Sequence, residues 1–159
     1  MSEEVNMKKA KEVFDSLVKM LDSRDWHYEK HEEKLLIKSG VKGEDLPIEF
    51  IVAVHPEAEV IQFISPMPFN MPEDKRVDGA IAVCVANYGL INGSFDYDLT
   101  DGEIRFRLTT SYTGSVLSDD LLEHMILIAA STSDKYNDRF FMLAKGMMTV
   151  QQFIEQENA

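Results

Sequence analysis

The residues in this chain that could do metal or acid–base chemistry are four histidines, one cysteine and 28 carboxylates. Their spacing argues against a site. His27 and His31 are four apart, which would put two imidazoles on one face of a helix. The segment Trp26–His31 reads as a strand, where they stand about 13 Å apart. His55 opens a turn and His124 falls on a helix, so no two histidines share ligand spacing. The string Asp96-Tyr97-Asp98-Leu99-Thr100-Asp101-Gly102-Glu103 has the acidity of a calcium loop. Aligned on Gly102, it places Tyr97 and Leu99 where carboxylates must stand, and Leu108 where the bidentate glutamate belongs. No metal and no cofactor is expected.

Nucleophiles fare no better. Cys84 lies on an apolar helical stripe and reads as a small buried hydrophobe rather than an activated thiolate. No G-x-S-x-G turn occurs, and Gly40 and Gly43 do not form a phosphate-cradling loop. Asp119, Asp120 and Glu123 are already accounted for in the first turn and start of a helix. No catalytic residues are expected. What remains is binding surface. Met67, Phe69 and Met71 alternate with prolines along Ser65–Pro72, and methionine adapts to varied partners while phenylalanine supplies contact area. These three are the candidate partner-binding residues. The competing reading is that they clip a connection onto the sheet edge.

Composition narrows the class. At 159 residues and 45% hydrophobic, the chain suits one domain with a real core. Its net charge of −12 repels phosphate backbones and anionic membrane surfaces, so neither nucleic acid nor membrane is an expected partner. A single cysteine allows no intrachain disulfide, and no stretch approaches the length of about 18 apolar residues that a span requires. The expected location is the cytoplasm.

Periodicity supplies the elements. Residues 4–24 repeat apolar positions at helical spacing: Ala10, Val13, Phe14, Leu17, Val18 and Leu21. Trp26–His31, Lys34–Val41, Pro47–His55 and Val60–Ser65 read as four strands. The prolines of Ser65–Pro72 remove ladder donors, which predicts an extended connection rather than a central strand. Pro72 suits the first position of a second helix with Val77, Ala80, Ile81, Cys84, Val85 and Tyr88 as its stripe, stopped by Gly89. Ser118 caps a third helix carrying Leu121, Leu122, Met125, Ile128, Ala129, Thr132, Tyr136 and Phe140, with Gly146 after its end. Thr149 and Gln152 form a capping box for a tail helix within 147–159, either docked or held out as an arm.

Between the second and third helices lies a hairpin. Asp101-Gly102 as a two-residue type I′ turn sets Leu99 opposite Ile104, Tyr97 opposite Phe106 and Phe95 opposite Leu108. The other face then sets Asp98 against Arg105 and Asp96 against Arg107. The order α-ββββ-α-ββ-α predicts an α+β fold, a single domain over 1–159 with its core at about 7–145, and helices on an antiparallel sheet of about six strands.

These pieces together resemble the YbjN-domain family, described as bacterial sensory-transduction regulators. The resemblance covers about residues 7–145. It runs through Asp25-Trp26-His27-Tyr28, Ser65-Pro66-Met67-Pro68-Phe69, Pro72-Glu73-Asp74-Lys75-Arg76 and Asn87-Tyr88-Gly89-Leu90. It continues in Gly93-Ser94-Phe95-Asp96-Tyr97-Asp98, Asp101-Gly102-Glu103-Ile104-Arg105-Phe106-Arg107 and Asp134-Lys135-Tyr136. It implies a fold similar to type III secretion chaperones, commonly homodimeric, and brings no catalytic residue. The expected function is a non-catalytic regulator or chaperone-like adaptor that binds a protein partner as a homodimer, through an added strand or a helix in a groove. The alternative is a small-molecule sensor or enzyme with a pocket between sheet and helices.

Overall fold

The computed structural model describes residues 2–159. Helix α1 (Glu3–Ser23) is followed by strands β1 (Tyr28–His31), β2 (Leu36–Lys42), β3 (Pro47–His55) and β4 (Val60–Asn70). Helix α2 (Arg76–Tyr88), strands β5 (Ser94–Tyr97) and β6 (Glu103–Ser111), and helices α3 (Asp119–Ala144) and α4 (Val150–Asn158) complete the chain. The six strands form one antiparallel sheet in the order β1-β2-β3-β4-β6-β5. The expected α+β architecture and element order hold.

Alternation decides which face of the sheet is covered. Ile37, Ile48, Phe50, Val52, Val54, Ile61, Phe63, Phe106 and Leu108 are buried; α1 packs on β3, α3 on β3, β4 and β6, and α2 on the edge strand β5. Their strand neighbours Leu36, Ile51, Ala53, Ile64, Arg105 and Arg107 are only half-buried, as befits a sheet with one solvated face. Helix α1 contributes Ala10, Phe14, Leu17, Met20 and Leu21 to the core.

The proline segment differs from expectation. Instead of leaving the sheet at Ser65, β4 runs on to Asn70 and stays paired with β6. Three devices make the prolines tolerable. Pairing with β3 ends at Ile64 opposite Ile51, so beyond that point β4 has a ladder neighbour on one side only. Continuing the register puts Glu49 beside Pro66, and there the Ser65 hydroxyl donates to the Glu49 carbonyl at 2.7 Å. The serine thus satisfies an acceptor that proline cannot. Finally, the β4–β6 register shifts between Pro66 and Asn70, and Pro68 sits within that bulge, where a missing donor breaks nothing. Pro72 in turn caps a 3₁₀ turn (Glu73–Lys75) rather than opening the helix, and α2 begins at Arg76.

The hairpin folds where expected but in a different register. Phe95 faces Phe106, Tyr97 faces Ile104 and Asp96 faces Arg105. The connection is a four-residue loop, Leu99–Gly102, closed by Asp98 N–H to Glu103 O (3.0 Å) and Gly102 N–H to Asp98 O (2.8 Å). Asp98 does not pair with Arg105. Its carboxylate accepts from the Thr100 hydroxyl (2.6 Å) and backbone N–H (2.8 Å), which hold it below the usual carboxylate range. Asp96 takes both arginines instead, Arg105 at 3.0 Å and Arg107 at 2.9 Å. The four-residue loop moves the pairing by two positions, and two is the sheet's period, so every side chain keeps its face. Gly102 has φ +79°, and a Cβ there would lie 2.2 Å from the Met71 carbonyl oxygen, which excludes other residues.

Candidate partner-binding surface

Of the three residues singled out for partner binding, Met67 and Met71 are buried, at 7% and 1% exposure. Phe69 is half-buried and packs edge-on against Phe141 with ring centroids 5.4 Å apart. The reason is the extended β4: Ile61, Phe63, Ser65 and Met67 are successive inward positions of one strand. Met67 and Met71 therefore close the core, and of the three candidates only Phe69 reaches the surface in part.

Among the helices, α2 carries the most exposed large apolar side chains, three of them on one face. The residues buried there are Gly79, Ala82, Val83 and Ala86, which differ from the expected stripe. Val77, Ile81, Cys84 and Tyr88, at i, i+4, i+7 and i+11, form the opposite face. Val77 is 71% exposed, Ile81 39% and Tyr88 96%, and Cys84 is a free, exposed thiol rather than a core residue. Ile91, just beyond the helix, is 98% exposed. None of these five carries a charge, on a chain with a net charge of −12. Contiguous apolar surface of this kind marks an interaction site.

The reason the smaller residues turn inward is distance. A Cβ on Gly79 would stand 2.6 Å from the Tyr97 hydroxyl oxygen and 2.8 Å from Met71 Cγ. A larger side chain has no room at position 79, so α2 turns its glycine to the hairpin and the Val77–Tyr88 face outward. Polar contacts fix that placement. The Tyr97 hydroxyl donates to the Arg76 carbonyl (2.7 Å), and Arg76 Nη1 donates to the Thr100 carbonyl (2.6 Å). Burial raises the Tyr97 hydroxyl above its ordinary pKa, which keeps it a donor.

Beside α2 runs β5, the edge of the sheet. Its exposed ladder positions would invite strand addition, but Asn87 on α2 blunts them. The Asn87 amide donates to the Phe95 carbonyl (2.9 Å) and accepts from the Phe95 N–H (2.7 Å), as a neighbouring strand would. A side chain covering an edge in this way is a defence against pairing. The surface therefore offers a helix face in preference to a strand edge. The sequence pattern picked out this face and placed it in the core; the structure puts it outside.

Nothing in the geometry assembles the titratable residues that the sequence offered. Among the described residues, no group of three or more histidine, cysteine, aspartate or glutamate side chains could hold a metal. His31 Nε2 lies 2.6 Å from Glu29, on the open face of the sheet at its far edge. His27, His55 and His124 are exposed. Among the described residues, no helix is long and apolar enough to cross a membrane.

Comparison with known proteins agrees with this architecture. No curated protein matches the chain in sequence. Among solved structures, the fold is similar to that of YbjN from E. coli, described as "a putative transcription regulator", with a TM-score of 0.61 at 10% identity over 79% of this chain and 91% of that one. It is also similar to a chain of the HopA1–SchA chaperone–effector complex, with a TM-score of 0.51 at 9% identity over 78% of this chain and 91% of that one. The sequence from 14 to 142 matches the model of a family described as "Putative bacterial sensory transduction regulator". On that match, which spans most of the chain and its whole sheet, this protein belongs to the YbjN family.

Proposed function

We propose that this protein is a non-catalytic cytoplasmic regulator or chaperone-like adaptor that captures a protein partner as a homodimer. The observation that carries the reading is the outer face of α2, where Val77, Ile81, Cys84 and Tyr88 stand uncharged and exposed. The family's regulator description and the resemblance to a chain of a chaperone–effector complex support a protein partner over a small molecule. A second copy suits the α2 face, because an uncharged face is one place where two chains of net charge −12 meet without like charges opposed. Antiparallel α2 helices related by a two-fold axis would bury Ile81 and Cys84 near the centre, with Val77 of each copy toward Tyr88 of the other. The half-exposed Phe69 is what the Met67–Met71 segment can add to the captured partner's contacts.

Size-exclusion chromatography with light scattering tests the assembly. The wild-type chain should run at twice its mass and Ile81→Asp at the monomer mass, with unchanged circular dichroism. Cys84, the single cysteine, offers a second readout: a mild oxidant should link two chains into one band on a non-reducing gel. A wild-type monomer at tens of micromolar that resists this cross-link overturns the homodimer. Captured partner lost with Ile81→Asp or Phe69→Ser supports the adaptor role, and capture unaffected by both removes these surfaces from it.

A further inference from the structure

Helix α4 lies beyond residue 142, where the family match ends, and packs against both α2 and α3. Its first turn is closed by its own residues. Thr149 accepts from the Gln152 N–H (3.1 Å) while the Gln152 side chain accepts from the Thr149 N–H (2.9 Å), a complete capping box. It is also cleanly separated from α3. Gly146, with φ +70°, ends α3 in a Schellman turn, Met147 N–H to Met142 O (2.8 Å) and Gly146 N–H to Leu143 O (3.2 Å). Lys145, Gly146 and Met147 are exposed.

Two anchors one turn apart hold α4 down. The Phe153 ring is fully buried and stacks on Phe140 with centroids 5.4 Å apart. Glu157 receives the Tyr136 hydroxyl at 2.7 Å and pairs with Arg139. Tyr136 and Phe140 are themselves stacked, with Phe95 edge-on to both, so the seat is continuous with the core. Beside α4, at the end of α3, lies an open surface cleft of about 390 Å³ lined by Met142, Met147 and Met148 and by the exposed α4 residues Gln152, Glu155 and Gln156, so the α3–α4 junction is bordered by solvent.

We propose that the α2–α3 flank is a helix-docking groove, that α4 is its tethered occupant, and that the partner it fits is an amphipathic helix bearing an aromatic anchor and a carboxylate one turn later. Arg139 and the Tyr136 hydroxyl select the carboxylate, and Phe140 selects the aromatic ring. Release of α4 then makes capture conditional, since an incoming helix must outcompete a local one held at high effective concentration. The groove is separate from the outer face of α2 and stands whether or not two copies pair there.

The test uses the full chain with a protease site inserted between Gly146 and Met147. After cleavage, α4 should remain bound through gel filtration, and a fluorescein-labelled peptide of residues 147–159 should exchange into the groove and saturate. Peptides carrying Phe153→Ala or Glu157→Lys should bind at least tenfold more weakly. An otherwise unrelated amphipathic helix that keeps only a phenylalanine and a glutamate four residues on should compete with the labelled peptide. Failure of that helix to compete makes α4 a fixed part of the fold and overturns the proposal, as does a cut chain that aggregates or refuses the peptide. Uncut chains that swap α4 between copies, seen as dimers that Ile81→Asp leaves intact, would name a second copy as the occupant and overturn the partner reading.

Discussion

The two long faces of α2 are both apolar, and they have opposite fates. Gly79, Ala82, Val83 and Ala86 are buried on the side of α2 that packs against β5, α3 and α4, while Val77, Ile81, Cys84 and Tyr88 meet solvent. Summed hydrophobicity favours the second set as the core. Packing reverses that choice, because α2 approaches β5 so closely that a Cβ on Gly79 would collide with Tyr97. Size, not hydrophobicity, assigns the inner face when a helix sits this close to a sheet. The larger side chains left outside then become interaction surface.

A charge placed on each face should break this symmetry most strongly. Ala82→Asp buries a carboxylate with no partner and should cost on the order of 4 kcal/mol or unfold the chain. Ile81→Asp, one position away, should cost the monomer about 1–1.5 kcal/mol, since part of the side chain is covered by its own chain. Urea titrations of the two variants measure the contrast. Equal destabilisation by both would mean that the face with Ile81 is part of the core.

The flank of α2 covered by α4 should show its character at high pH. Burial, reinforced by the hydrogen bond to Glu157, pushes the Tyr136 hydroxyl up to about 12 from 10.0. Below pH about 10 both folded and unfolded chains hold that proton. Between 10 and 12 the unfolded tyrosine ionises and the folded one does not, so stability falls as pH rises, by about 2–3 kcal/mol at most. Tyr28, pushed up to about 12 by burial and its bond to Asp22, adds a smaller fall, because it is more exposed than Tyr136 and water screens it. The share belonging to Tyr136 is therefore the difference between wild type and Tyr136→Phe in alkaline urea titrations. Identical alkaline slopes would show that α4's anchor does not depend on this hydroxyl. On the inner face, Tyr97→Phe removes the bond to the Arg76 carbonyl and should cost about 1 kcal/mol in the same titration, whereas Tyr88→Phe on the outer face should cost nothing measurable.

How legible was this in the sequence? Element order and sheet alternation were, because they rest on local periodicity. The hairpin's faces were legible and its register was not: a two-residue and a four-residue loop around Asp101-Gly102 both place Phe95, Tyr97, Ile104 and Phe106 on one side. The course of β4 was hidden by a sound rule about prolines. What escaped that rule was tertiary: the β3–β4 pairing ends at Ile51–Ile64, Ser65 serves Glu49, and a bulge takes Pro68. Had the inward set Ile61, Phe63, Ser65 been continued by two, it would have placed Met67 in the core. The stripes of α2 were ranked the wrong way round, because the close approach at Gly79 is set by Tyr97 and Met71, residues outside α2's own pattern.

The smallest expected change in monomer stability makes the sharpest statement about the outer face. Val77 and Tyr88 touch little within their own chain, at 71% and 96% exposure, so Val77→Ser with Tyr88→Ser should shift monomer stability by less than about 0.5 kcal/mol per site. Their effect on melting should nonetheless be visible through concentration. If two copies bind through α2, the wild-type Tm rises with protein concentration, because association draws on the folded state alone. The double variant should melt at one temperature across a hundredfold range of concentration, while wild type climbs by several degrees. A wild-type Tm independent of concentration would leave the outer face without a second copy, and its apolar residues would then belong to contact with another protein alone.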